Sequence, residues 1–450
     1  MFSHNGPARI ERSSLHASLR DPVLRAMSFL NEAIDRFPDA ISFAPGAPFP
    51  GFFDTLDVHA YMARYVRYLQ EYRNLSLPQV RRQMFEYGPS CGQICGLVAE
   101  YLKLDYGIDV LSEAIVVTVG CQEGMLLVLR ALRASTSDIL AVINPCYVGL
   151  IGAARLVEFE IWPVEEHESG INVEEIARMC CNARAQNKQI RALYVAPDFA
   201  NPSGYLMDLP TRNALLELAE REDFILIEDS TYGFTSPDES SLPSLKRLDQ
   251  RNRVIFLGTF SKVCLPGARV GFVVADQIVS DDTGKSILAT ELASLKSMTT
   301  VNTSPISQAI IGGMLLEFNG SLKKFAREKA NIYKRNLNLL LDFLDSRIES
   351  RKGVVWSRPG GGFFVRMRLP VVVDESMVEL SARKFGVLWT PMAHFMLSGG
   401  SKCCELRLSC SYLAPEEIDE GTRRLAEFVR FVCTPPSSDL ALLQGPDDRS

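Results

Sequence analysis

From residue 112 the chain repeats one rhythm: a short run of consecutive apolar residues, a stretch of helical periodicity, then another apolar run. The runs are IVVTVG at 115–120, DILAVINP at 138–145, VEFEIWPV at 157–164, RALYVAPD at 191–198, FILIEDS at 224–230, RVIFLGTFS at 253–261 and RVGFVVAD at 269–276. A strand with one wet face alternates apolar and polar residues, whereas a run that is apolar throughout has to be covered on both faces. The stretches QEGMLLVLRALRA, VEEIARMCCNARAQ and TRNALLELAERE supply helices for that cover and for the crossovers between parallel strands. The pattern predicts an α/β fold, a mostly parallel seven-stranded sheet with helices on both faces. The last two runs lie too close together for a helix between them, so at least one runs antiparallel.

At 450 residues the chain exceeds what one core holds, and its character changes near residue 305, where a long helical stretch from Ser307 to Leu344 begins. We expect an N-terminal arm over 1–45 that joins the small domain, a large domain over 46–305, a smaller α/β C-terminal domain over 306–435, and a flexible polar tail over 436–450. Hydrophobic residues at 47% and charged residues at 23% exclude a disordered chain, and no run approaches the roughly 20 apolar residues of a spanning helix. A net charge of −6 gives no general attraction for nucleic acid or an anionic membrane, which leaves small molecules as the expected partners. Eleven scattered cysteines read as reduced thiols in a cytoplasmic protein. Cys91 and Cys95 have no companion pair at zinc-site spacing, so no metal is expected.

Ligands of open α/β sheets bind beyond the carboxyl ends of the strands, so the informative residues follow each run. Gly120, Cys121 and Gln122 open a helix and offer free backbone N–H groups and a helix dipole to a phosphate. Tyr147 follows the second run, Asn201 in NPSG follows the fourth, Asp229 and Tyr232 end the fifth, and Ser261, Lys262 and Arg269 follow the sixth. Singly these are turns, caps and solvated side chains. Together they suit pyridoxal 5'-phosphate. Lys262 would condense with its aldehyde, and Asp229 would keep the pyridine nitrogen protonated so that the ring takes up electrons. Asn201 and Tyr232 would hydrogen-bond the ring O3', Tyr147 would stack on the ring, and the Gly120–Gln122 turn with Ser261 and Arg269 would hold the phosphate.

These residues resemble the fold type I, aspartate-aminotransferase-like enzymes of class I/II. GTFSKVCLPGARVGF (258–272) is similar to the family's lysine block, and EYGPSCGQICGL (86–97), APDFANPSG (196–204) and IEDSTYG (227–233) match other blocks in order. Within the family the sequence is most similar to the α-aminoadipate, kynurenine and aromatic subgroup, and its SLRDPVLRAMSFLNE segment resembles aminotransferases of nonribosomal-peptide pathways. The resemblance implies Lys262, Asp229 and Tyr147 as the catalytic set. It further implies Arg407, in CELRLSCS (404–411), as the substrate-carboxylate arginine, with Gly46 and Asn201 beside the substrate. It also implies a homodimer in which Tyr87 reaches the cofactor phosphate of the neighbouring subunit.

Departures from the family pattern gather around the substrate: Val98 where an arginine is common, Asn144 where an acid usually precedes the proline, and PMAHF (391–395) in place of a glycine-containing turn. His394 in that segment is a candidate substrate contact, and Phe49, Phe52 and Phe53 could line a pocket for a large side chain. The leading expectation is transamination between an L-α-amino acid and a 2-oxo acid. The same cofactor set also serves cyclases, lyases and oxidases of amino acids. A transcriptional regulator would need a winged-helix domain of roughly 70 residues, for which the arm has neither the length nor the basic helix.

Overall fold

The computed structural model describes residues 10–24, 32, 34–236, 242–282, 284–348, 353–397 and 403–434. The expected tail at 436–450 and part of the arm lie outside the described residues. The arm contributes a short strand, β1 (Ile41–Ser42), and the next eight strands form the main sheet. All seven apolar runs are in it: β2 (Ile115–Val119), β3 (Asp138–Asn144), β4 (Glu160–His167), then, after β5 (Gly170–Ile171), β6 (Gln189–Val195), β7 (Ile225–Ser230), β8 (Val254–Thr259) and β9 (Val270–Val274). Their order is β2-β9-β8-β7-β6-β3-β4-β5. The eighth strand, β5, is a two-residue antiparallel addition to the end of β4, too short to carry a sequence pattern.

β8, β7, β6, β3 and β4 run parallel, while β9 opposes both β8 and β2. The carboxyl ends of β2, β3, β6, β7 and β8 therefore meet along one edge, where the residues singled out above gather. One face is covered by helices Gly120–Leu132 and Val148–Leu156, whose Leu127, Val128, Leu150 and Ile151 pack on Val116, Leu140 and Ile255. On the other, Ile176, Leu215 and Leu218 of helices Val173–Ala185 and Leu209–Glu222 pack on Ile139, Leu193 and Leu226. An exposed hairpin, β10 (Ile278–Asp281) with β11 (Gly284–Ile287), follows β9.

The second core surrounds an antiparallel sheet of order β12-β13-β16-β15, made of β12 (Val355–Trp356), β13 (Phe364–Arg368), β15 (Thr390–Pro391) and β16 (Glu405–Ser409). β14 (Val387–Leu388) pairs in parallel with β1, and Phe43 is fully buried in this core with Leu340, Leu408 and Phe428.

The division expected at 305/306 does not coincide with the division between the cores. The helical stretch 307–344 is two helices, Pro305–Glu317 and Lys323–Arg347, broken by a turn with positive φ at Asn319 and Gly320. Ile311, Met314, Leu315 and Leu322 pack with Ile115, Val117 and Phe272 of the main sheet. The second helix then crosses over, with Ala326 in the first core and Leu337, Leu340 and Leu344 in the second. Helix Pro305–Glu317 is apolar nearly all round because it is sandwiched, a change in pattern that resembles a new domain when read along the chain.

That sandwich depends on Gly313, where a Cβ would fall 1.8 Å from the Tyr61 carbonyl oxygen of helix Val58–Glu71. Gly313→Ala forces the two helices apart and is expected to lower stability by about 3 kcal/mol, measured by chemical denaturation.

Candidate active site

A cavity of about 350 Å3 opens at the carboxyl edge of the main sheet. Its wall includes Gly46, Cys121, Gln122, Tyr147, Asn201, Asp229, Tyr232, Ser261, Lys262, Arg269 and Arg407, residues up to 361 positions apart in sequence that the topology brings together. Gly120 stands immediately behind. It takes φ +71°, and a Cβ there would lie 2.3 Å from Nη2 of Arg269, so only glycine lets the helix start approach that guanidinium. Arg269 Nη1 donates to the Ser261 hydroxyl at 3.3 Å, which puts a cation, a hydroxyl and a helix N-terminus on one wall.

Lys262 lies on the short connection between β8 and β9, and its Nζ donates to the Gly46 carbonyl at 2.6 Å. Two residues earlier in the arm, the Ala44 carbonyl accepts from Nη2 of Arg407 at 2.7 Å. Arg407 sits on β16, donates from Nη1 to Asn201 Oδ1 at 2.7 Å, and lies between the rings of Phe364 (4.3 Å) and Phe395 (4.8 Å). Asp229 ends β7 and accepts from the hydroxyls of Tyr194 at 2.7 Å and Thr231 at 2.5 Å. The Tyr147 hydroxyl donates to Gln122 Oε1 at 3.4 Å.

Burial dominates the electrostatics. It lowers Lys262 to about 8, aided by the charges of Arg407 and Arg269 and opposed by Asp229. Burial also lowers Arg407 to about 10. It raises Asp229 above the usual carboxylate range, against the two hydroxyl donors and Lys262. Three basic groups thus face one carboxylate, Arg407 buried and Arg269 exposed at the rim, and Nε of Arg407 is buried without a hydrogen-bond partner. Such a cavity is short of anions. Pyridoxal 5'-phosphate fits it: its phosphate matches the wall of Gly120, Ser261 and Arg269, its aldehyde suits an amine of depressed basicity, and its pyridine nitrogen suits a buried acid. An α-carboxylate would match Arg407.

Other sequence expectations sit elsewhere. Tyr87 is 88% exposed and outside the cavity of its own chain. Phe49 and Phe52 pack on Tyr333 and Phe363 instead of lining a pocket, because the chain turns away after Gly46 in a short helix, Pro50–Thr55. The apolar lining comes from Ile34, Met125, Val148 and Phe395. His394 lies 3.9 Å from Glu375 and is not among the lining residues, though its neighbour Phe395 is; burial, with the charge of Arg407, lowers it to about 4. Asn144 donates to Glu165 at 3.0 Å and accepts from the Leu397 backbone at 3.2 Å, which ties the end of β3 to the segment after Phe395. Sequence reasoning missed Tyr194 and Thr231. The first lies inside a strand, and its only signal is one phenol among the aliphatic residues of ALYVAP.

Comparison with known proteins shows the family and the fold. The family model of class I and II aminotransferases matches residues 80–425. The chain is 45% identical over 429 residues to the (S)-3,5-dihydroxyphenylglycine transaminase of Amycolatopsis orientalis, covering 95% of this chain and 97% of that one. It is 30% identical to aromatic-amino-acid aminotransferase 1 of Thermococcus litoralis, covering 87% and 88%. Among solved structures, the kynurenine aminotransferase of Pyrococcus horikoshii superposes with a TM-score of 0.76 at 27% identity, covering 95% of this chain and 98% of that one.

The depressed Lys262 gives a pH signature. An amine reacts only when neutral, so labelling of Lys262 in the cofactor-free protein by an acylating reagent should rise with pH and level off above about 8. Peptide mass spectrometry follows the site, and a midpoint near the ordinary lysine value of about 10.4 would contradict the assignment.

Proposed function

The chain belongs to the class I and II aminotransferases, and on that premise we propose that it moves the amino group of an L-α-amino acid with a large, uncharged, aromatic side chain to a 2-oxo acid, with pyridoxal 5'-phosphate held in the cavity of Lys262. One observation carries the reading. Carbonyls two residues apart, at Ala44 and Gly46, hold the Arg407 guanidinium and the Lys262 amine on the wall of one cavity, so a substrate carboxylate and the Cα beside it meet both together.

Arg407 pairs with the α-carboxylate, and the flanking rings of Phe364 and Phe395 keep water from the pair. Bound in the cavity, the cofactor supplies an electron sink for the charge left on carbon when the Cα proton departs. Lys262, with a basicity near neutral pH, takes that proton as general base and returns it as general acid. Asp229 would hold a proton on the pyridine nitrogen, Asn201 and Tyr232 would hold the ring oxygen, and Tyr147 would pack on the ring. The N–H groups of Cys121 and Gln122, with Ser261 and Arg269, would bind the phosphate.

The side-chain preference rests on the lining of Ile34, Met125, Val148 and Phe395, and on the charge count: the described wall holds no fourth basic side chain for a distal carboxylate. A dihydroxyphenylglycine transaminase and an aromatic-amino-acid aminotransferase among the relatives support the same preference, and we place the reaction in amino-acid or specialised peptide metabolism. We assign the working form to a homodimer. Tyr87 and Phe85 are 88% and 74% exposed, aromatic surface that a second copy would cover. Eleven free cysteines support the cytosol as its compartment, and among the described residues no helix is long and apolar enough to cross a membrane.

Holoenzyme should show a visible absorbance band that borohydride bleaches, leaving cofactor covalently attached to Lys262. Lys262→Ala should abolish turnover, and Asp229→Asn should slow Cα proton removal by several orders of magnitude with the fold intact. Substitution of Arg407 should instead weaken amino-acid binding by about 2 to 5 kcal/mol. Mixed with a panel of amino acids and no acceptor, the holoenzyme should release one 2-oxo acid per site, most readily from aromatic substrates, with the band restored by a second 2-oxo acid. Repeated turnover without an acceptor would mean a lyase, cyclase or oxidase.

Sedimentation of holoenzyme should give a dimer, and Tyr87→Phe should lower retention of the cofactor during dialysis. A monomer of full activity would remove Tyr87 from the site.

A further inference from the structure

Asp229 is the one carboxylate among the described residues lining the cavity, and both of its oxygens accept from uncharged hydroxyls. The donor to Oδ2 is Tyr194, on the strand next to that of Asp229. In the parallel register of β6 and β7, Tyr194 lies opposite Ile227, two residues before Asp229 and so on the same face of the sheet. Its neighbours in that core are Leu140, Val142, Ile227 and Ile255. A tyrosine among aliphatic side chains needs a partner for its O–H, and here the O–H points along the strand to the carboxylate, with Tyr194 only 3% exposed. Thr231, two residues beyond Asp229, supplies the second donor at Oδ1.

We propose that Tyr194, with Thr231, is a positioning residue for the reaction: the two hydroxyls hold the Asp229 carboxylate in one orientation and ionised without cancelling its charge, so the full negative charge faces the pyridine nitrogen of the cofactor. The inference rests on the function assigned above. A lysine or arginine in the place of Tyr194 would also keep Asp229 ionised, but its positive charge would oppose a proton on the ring. A hydroxyl donates without that penalty. Burial pushes Asp229 toward its neutral form, and the donors from Thr231 and Tyr194 act against it. Burial also raises the Tyr194 hydroxyl well above its ordinary range, so it remains a donor at any working pH.

The test is a double-mutant cycle on the full chain. Tyr194→Phe and Thr231→Val each remove one hydroxyl, and Thr231→Ser keeps it. Each is measured in the native sequence and in an Asp229→Asn background. The readouts are affinity of the cofactor-free protein for pyridoxal 5'-phosphate, the kinetic isotope effect with α-deuterated amino acid, and kcat against KM. With Asp229 present, Tyr194→Phe should weaken cofactor binding about tenfold, lower kcat about 10- to 100-fold, raise the isotope effect, and leave KM within about threefold. Thr231→Ser should behave like the native protein and Thr231→Val like Tyr194→Phe. In the Asp229→Asn background, removing the Tyr194 hydroxyl should change cofactor affinity less than about twofold. Equal losses in both backgrounds would show that Tyr194 is only packing, and no loss in the native background would show that Asp229 needs no help. Either result overturns the proposal. Should Tyr194→Phe not fold, the Thr231→Val and Thr231→Ser pair decides it. Failure of the underlying function would look different, as a native protein with no borohydride-sensitive band.

Discussion

Among the described residues, three basic side chains line one cavity with a single carboxylate, and much of the surrounding structure is arranged around that imbalance. Lys262 and Arg407 repel one another where burial limits screening by water, Arg269 adds its charge from the exposed rim, and each is held by oxygen atoms of the chain: the Gly46 carbonyl, the Ala44 carbonyl with Asn201, and the Ser261 hydroxyl. Lys262 relieves part of the strain by losing basicity, which also makes it a usable base. An anionic phosphate and an α-carboxylate relieve the rest. Binding and catalysis thus draw on the same electrostatic deficit, since the groups that would make an empty cavity costly are those that recognise what fills it.

The deficit can persist only because three separate parts of the chain close on it. The main sheet brings the carboxyl ends of β2, β3, β6, β7 and β8 to one edge, which places the Gly120–Gln122 turn, Asp229 and Lys262. Arg407 arrives from the second core, on β16. Between them runs the arm, whose β1 pairs with β14 and whose next residues present the Ala44 and Gly46 carbonyls. Helix Lys323–Arg347 spans both cores, and its Lys329 donates to the Val263 carbonyl at 2.6 Å, immediately after Lys262. The relative position of the two cores is therefore tied to the loop that carries the reactive amine.

The sheet was legible because its physics is local: a strand covered on both faces has to be apolar at every position, and helices long enough to cover it have to recur between strands. The residues after the strands were legible for a related reason, since open sheets of this kind bind at their carboxyl edge whatever the ligand. Lys262, Asp229, the Gly120–Gln122 turn and Arg407 all stand out in the sequence as candidates, and the fold brings Lys262, Asp229, Cys121, Gln122 and Arg407 to one cavity. Nothing local distinguished helix Pro305–Glu317 from the start of a second domain, because an all-round apolar helix looks alike whichever core it enters.

What the sequence determined by itself was the layered α/β architecture and the chemical inventory of the site, both written in residue types at fixed distances from strand ends. Only the tertiary structure decided which side chains face one another. Tyr194 reaches Asp229 through the register of two strands that are 35 residues apart at those positions, Phe49 and Phe52 leave the cavity wall because the arm turns after Gly46, and Ile34 and Phe395 replace them. Such contacts depend on register, side-chain reach and the packing of distant segments, and those are set when the cores close.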